Sequence, residues 1–158
     1  MNAVGIGYDV HRFAHGRPLI LGGVRIQHAL GLEGHSDADV LSHAIADALL
    51  GAAGEPDIGH LFPNTDESIR GISSLEILRT IRKRLTAAYV DIQNIDATLV
   101  AEEPKISPHL AGMKTALAGA LGIPQDRIGI KATTNETLGF IGRGEGIAAM
   151  AVASVERN

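Results

Sequence analysis

From Val4 to His11 two kinds of residue alternate: Val4, Ile6, Tyr8 and Val10 against Gly5, Gly7, Asp9 and His11. Residues two apart on a strand share a face. The pattern predicts a strand over about residues 2–11. Its apolar face packs, and its other face offers a carboxylate and an imidazole beside side-chain-free space. Leu19-Ile20-Leu21 and Val24-Arg25-Ile26 flank Gly22-Gly23, which reads as a hairpin with a two-residue turn. Ser36 with Asp39 resembles a capping box, so a helix is expected from just after His35 to Gly51 or Gly54. Residues 54–73 form a long connection, and long ordered loops tend to be functional. Ser73 and Glu76 open a second helix to about Ala88, with Leu75, Leu78, Ile81 and Leu85 at helical spacing. Its Arg79, Arg82, Lys83 and Arg84 read as a solvated face. Asn94–Val100 is the next strand, and Ser107-Pro108 starts a third helix ending near Leu121-Gly122. Ile128–Thr134 and Gly146–Val155 close the chain as two strands joined by a glycine-rich turn.

Strands with intervening helices predict an α/β fold, or an α+β sandwich, with helices on one face of the sheet. The last strand is apolar on both faces, with Ile147, Ala149, Ala151 and Ala153 alternating with Ala148, Met150 and Val152. A sheet covered on one side does not need that, so burial of the second face in a homo-oligomer is expected. No linker or repeat divides the 158 residues, and one domain over 1–158 is expected. Lys and Arg number 14 against 18 Asp and Glu, for a net charge of −4. That balance lacks the basic excess needed to neutralise nucleic-acid phosphates. Aromatics at 3% with no Trp leave no stacking platform for single strands. No apolar run is long enough to span a bilayer, the start does not resemble a signal peptide, and cysteine is absent. The expectation is a cytoplasmic protein with neither a nucleic-acid nor a membrane partner.

Asp9, His11 and His43 make a possible three-ligand set for zinc or another divalent cation, with a fourth position left for water or substrate. The same residues also fit a chance Asp-x-His pair and a solvated helical histidine. Asp47, four residues after His43, either orients that imidazole or is a surface acid. His35 and Ser36 fall at the expected helix start, where free N–H groups favour an anion. Lys131-Ala132-Thr133-Thr134-Asn135-Glu136 could bind phosphate oxygens and a hard cation, or simply end a strand. Ala101-Glu102-Glu103-Pro104-Lys105-Ile106-Ser107-Pro108-His109 could meet a base or phosphate, or simply cap a helix.

Read together, these runs resemble the 2-C-methyl-D-erythritol 2,4-cyclodiphosphate synthase family of non-mevalonate isoprenoid biosynthesis. The matching segments are Gly7-Tyr8-Asp9-Val10-His11, Gly34-His35-Ser36-Asp37-Ala38-Asp39, His43, Asp57-Ile58-Gly59, Phe62-Pro63-Asn64-Thr65-Asp66, Pro104-Lys105, Lys131 to Glu136, and Gly139-Phe140 to Ile147. They span nearly the whole chain, in the order and spacing of the stand-alone enzyme rather than of a fusion with a cytidylyltransferase. The resemblance implies a mixed β-sheet with helices on one face and a homotrimer with active sites between subunits. It implies zinc on Asp9, His11 and His43, and magnesium or manganese on Glu136 with the substrate diphosphate. His35 and Thr134 would position or stabilise the reacting phosphates, with Ser36 beside them. Asp57-Ile58-Gly59 and Phe62 to Asp66 would meet the methylerythritol end. Ala101 to Ser107 and Thr133 to Glu136 would hold the cytidine diphosphate end, and Phe140 and Arg143 are further contact positions. Asn135 and Asn64 depart from the Thr and Asp often found there. The implied reaction expels CMP from 4-diphosphocytidyl-2-C-methyl-D-erythritol 2-phosphate by attack of its own 2-phosphate. A metal-dependent phosphoesterase and a non-catalytic trimer pinned by zinc are the competing readings. His15, His28, His60 and His109 receive no role.

Overall fold

Two glycines decide how the first strand meets the first helix. In the computed structural model, which describes residues 1–158, β1 (Asn2–Ala14) lies directly on α1 (Val40–Ala53). A Cβ at Gly5 would lie 2.1 Å from the Ala48 carbonyl oxygen, and one at Gly7 would lie 1.8 Å from that of Ala44. Only hydrogen fits in so close an approach. The packed face of β1 is therefore the glycine face, the reverse of the sequence expectation. Val4, Ile6 and Tyr8 are 68%, 73% and 54% exposed in the chain alone. Asp9 and His11 continue the glycine face toward the N-terminal end of α1, where His43 precedes Ala44.

The chain continues through β2 (Leu19–Leu21), β3 (Val24–Ile26) and β4 (Gly31–Leu32) before α1. The β2–β3 hairpin forms as expected, as a separate two-stranded sheet. The helix begins four residues later than expected. Asp39, not Ser36, is its N-cap, accepting from the Ser42 amide, and Gly54 ends it in the left-handed conformation. Every residue of α1 except His43, Asp47 and Gly51 is buried. A short α2 (Ile58–Leu61) interrupts the long connection, and α3 (Ser74–Ala87) follows, burying Ile77, Leu78, Ile81 and Leu85.

β5 (Val90–Val100) runs into a 3-10 turn at Ser107–His109 and then α4 (Leu110–Leu121), which crosses over to β6 (Ile128–Thr133). β5 starts earlier than expected because a register shift between Ile92 and Asn94 changes which parity is buried. After α5 (Gly139–Gly142), β7 (Gly146–Arg157) enters the middle of a five-stranded mixed sheet of order β4-β1-β7-β5-β6. The last two strands are thus not neighbours: β5 lies between them, parallel to β6 and antiparallel to β7. Hydrophobicity explains the placement. The strand apolar on both faces takes the centre, and the strand carrying Lys131 takes an edge. One cluster of 37 buried residues joins the helices to one sheet face. On the other face Ile6 pairs with Val152 and Tyr8 with Met150, which makes a continuous apolar patch.

Candidate active site and metal centre

The register of β1 on α1 brings Asp9, His11 and His43 to one point. Asp9 Oδ2 lies 2.8 Å from His11 Nε2 and 3.1 Å from His43 Nδ1, and the two nitrogens are 3.3 Å apart. Tetrahedral zinc with bonds of about 2.0–2.1 Å spaces its ligands by roughly 3.3 Å, so these three atoms fit three corners. No fourth metal-binding side chain joins them.

Each imidazole is held by its other nitrogen. His11 Nδ1 donates to the Glu33 carbonyl at 2.6 Å, which leaves Nε2 for a metal. The Ser74 hydroxyl donates to Asp37 and so accepts from His43 Nε2 at 2.8 Å, with Ser36 Oγ 3.1 Å from the same nitrogen. His43 Nδ1 is thereby left free. A metal-binding histidine is ordinarily oriented in this way through its distal nitrogen. Asp47, the expected orienter, is engaged elsewhere. Its carboxylate accepts from the Ile58 amide at 2.9 Å and pins the connection after α1. Burial pushes the Asp47 carboxyl up, against the pull of that bond. The helix start is not a free anion site. Asp39 is fully buried, and it accepts from the Ser42 amide and hydroxyl and from the amides of Gly22 and Gly23.

Burial pushes the Asp9 carboxyl up, but the His11 and His43 rings beside it outweigh that and hold it at about 2. Burial likewise opposes protonation of His11, yet Asp9 raises it above 6.5. Without a metal, the Asp9 carboxylate thus favours the protonated form of His11. The His11 contribution to stability is complete below pH 6.5 and lost as pH rises through its raised value. The Asp9 contribution is present above pH 3.8 and lost as pH falls toward about 2. A metal needs neutral His11 and must displace its proton. Zinc affinity should therefore climb with pH through and beyond 6.5. Calorimetry in buffers of different ionisation heat should find roughly half to one proton released per ion at the lower end of that range. Affinity independent of pH there would remove His11 from the ligand set.

The trio borders a cavity of about 210 Å³ that is also lined by His35, Ser36, Ile58, Gly59, Phe62 and Asn64. His35 Nε2 donates to the Asp66 carbonyl at 2.7 Å, tying the two runs together. Asp57, Pro63, Thr65 and Asp66 do not line it. Asp57 instead caps α2 and holds His60 Nδ1 at 2.7 Å. Ala101 to Ser107, Thr133 and Thr134 line a separate cavity of about 650 Å³ with Ala132 and with His28. His28 went unread in the sequence; its ring rests against Phe13, a contact between residues far apart in sequence. Asn135 and Glu136 follow on the adjoining turn. Glu102 Oε1 accepts from the amides of Asn135 and Thr137 at 2.9 and 3.1 Å, across a turn whose Glu136 and Thr137 have φ of 53° and 63°. Two left-handed non-glycine residues cost about 1 kcal/mol each, and the carboxylate offsets that strain. Phe140 lies in a third cleft with Val10, His11, Arg12, Glu145 and Gly146, while Arg143 is ion-paired with Glu145 at 2.7 Å. Most of the predicted residues are therefore spread over three places within one chain, not one. No helix is long and apolar enough to cross a membrane.

The sequence model of the YgbB family matches residues 2–156. The 2-C-methyl-D-erythritol 2,4-cyclodiphosphate synthase of Akkermansia muciniphila is 60% identical over 152 residues, 96% of this chain and 90% of that one. The bifunctional IspDF from Campylobacter jejuni superposes with a TM-score of 0.96 at 40% identity, over all of this chain and 43% of that chain. An IspF of Plasmodium falciparum, solved as a CDP complex, superposes with a TM-score of 0.86 at 34% identity, over 99% of this chain and 97% of that one. By match length, identity and fold, this chain belongs to the YgbB family, which it shares with the 2-C-methyl-D-erythritol 2,4-cyclodiphosphate synthases.

Proposed function

We propose that residues 1–158 act as one 2-C-methyl-D-erythritol 2,4-cyclodiphosphate synthase domain. It converts 4-diphosphocytidyl-2-C-methyl-D-erythritol 2-phosphate to the cyclic diphosphate and CMP. The observation that carries the reading is the convergence of Asp9, His11 and His43 beside an open cavity, in a chain of this family. An oxygen of the substrate's 2-phosphate attacks the β-phosphorus. The bond from that phosphorus to the oxygen bridging the α-phosphorus breaks, and CMP departs with the electron pair. The substrate supplies the nucleophile, so no activated serine or cysteine is required. What the protein contributes is positioning of a flexible polyanion and screening of its charge.

Asp9, His11 and His43 would hold zinc or another divalent cation, which when bound supplies Lewis-acid polarisation of a phosphoryl oxygen. His35 and Ser36 sit beside that centre to meet the substrate phosphates. Ile58, Gly59, Phe62 and Asn64 form the wall for the methylerythritol end. Ala101 to Ser107 and Thr133 to Glu136 form the cytidine diphosphate pocket, a reading supported by the CDP complex of a relative. Glu136 would bind magnesium or manganese together with the diphosphate.

A cavity of about 210 Å³ is below the ~300–1,000 Å³ usual for a ligand of this size. Residues 131–140, which carry Thr133, Thr134, Glu136 and Phe140, are all exposed in the single chain. Both facts support a homotrimer in which the metal half of one copy meets the nucleotide half of the next. The apolar patch of β1 and β7 would be buried about the threefold axis.

Phosphorus NMR of the purified protein with substrate, zinc and magnesium should show CMP and a cyclic diphosphate in equal amounts. CMP with an open product would identify a phosphoesterase instead. Glu136→Ala should raise the substrate KM about tenfold, or ~1.4 kcal/mol, with partial recovery at high magnesium. Kinetics unchanged at low and high magnesium would remove Glu136 from the cation site.

A further inference from the structure

One guanidinium outside the ligand set reaches the segment that holds both imidazoles. Arg17, half-buried between β1 and β2, donates to the Gly34 carbonyl and, at 2.6 Å, to the Ser36 carbonyl. Along the run Glu33–Ser36 the carbonyls divide by parity. Those of residues 33 and 35 accept from His11 Nδ1 and from the Gly71 amide, at 2.6 and 2.7 Å. Those of residues 34 and 36 go to Arg17. The run bends at residues 34–36, which brings the second pair within reach of one planar fork. The same run carries Ser36 Oγ, 3.1 Å from His43 Nε2.

We infer that Arg17 is a positioning residue for the metal centre. It hydrogen-bonds to no ligand side chain. By fixing the carbonyls of Gly34 and Ser36 it holds the Glu33 carbonyl and the Ser36 hydroxyl against the distal nitrogens of His11 and His43. The Glu33 contact leaves Nε2 of His11 for the metal, and the Ser36 contact joins that of Ser74 in leaving Nδ1 of His43. The inference rests on the metal reading above, and a lysine would reproduce its charge but not its two-pronged reach.

The test compares Arg17→Gln and Arg17→Lys, with Arg25→Gln as a control that removes one exposed charge from the neighbouring hairpin. Zinc dissociation constants come from chelator competition. Histidine tautomers come from long-range nitrogen–proton spectra of metal-free protein, at a pH where both rings are neutral. In the parent, His11 should carry its proton on Nδ1 and His43 on Nε2. Arg17→Gln should mix the tautomers of at least one ring and weaken zinc about 10–100-fold, the usual cost of losing an outer partner. Arg17→Lys should fall between, and Arg25→Gln should match the parent. Parent tautomers together with zinc affinity within about threefold in Arg17→Gln would overturn the inference. If that variant does not fold, parent zinc affinity in Arg17→Lys would overturn it. A parent chain that binds no zinc would defeat the metal reading itself, and the tautomer comparison would still decide the role of Arg17.

Discussion

His43→Ala should leave the protein folded, strip it of zinc, and lower cyclisation by about 10³-fold, equivalent to ~4 kcal/mol. The imidazole supplies one of only three ligand atoms, and two cannot hold the ion against water. Folding should survive because the position lies near the start of a helix whose other side chains are almost all buried. Asp39 keeps the N-cap, and Ser74 keeps its bond to Asp37. The expected structural cost is about 1 kcal/mol for the lost bonds to Ser74 and Ser36. Metal analysis, thermal melting and the phosphorus assay together check this, with His15→Ala as an exposed-histidine control. Turnover within tenfold of the parent would show that the trio does not govern the chemistry.

Ile6→Asp or Val152→Asp should also damage turnover severely, while leaving the metal in place. These cross-strand partners are 73% and 44% exposed in the single chain, so a carboxylate there costs the isolated chain little. In the proposed trimer the same carboxylate would be buried three times about the axis, and each unpaired buried charge costs several kcal/mol. Sedimentation should find monomers, zinc should remain near one per chain, and activity should fall more than about 100-fold. The metal persists because Asp9 and His11 lie on the opposite face of the sheet. A variant that stays trimeric would place the interface elsewhere. A monomer with parent turnover would put the complete site inside one chain.

Asp9 and His11 were legible in the sequence as a possible pair because they share a strand face, while only the packing of β1 on α1 brought His43 to them. The orientation of that face was not legible. Alternation separates two faces without saying which is buried, and the expectation that apolar residues pack inward failed because Gly5 and Gly7 let a helix backbone come closer. Asp47 illustrates a second limit. Its i,i+4 spacing from His43 is correct, yet a carboxylate bonds whatever donor arrives, and here that donor is an amide from the following connection.

Periodicity and turn residues alone determined the hairpin, the three long helices and most strand positions, since each depends on neighbours within a few residues. Short-range chemistry likewise marked Asp9, His11, His43 and the glycine- and threonine-rich run near Glu136. The tertiary structure alone decided that β7 is central, that Asp39 caps α1, and that Ser74 and Glu33 bond the imidazoles. It also separated the cavity beside Asp9, His11 and His43 from the one lined by Ala101–Ser107, Thr133 and Thr134. Those outcomes depend on contacts between residues distant in the chain, where geometry rather than spacing selects the partner.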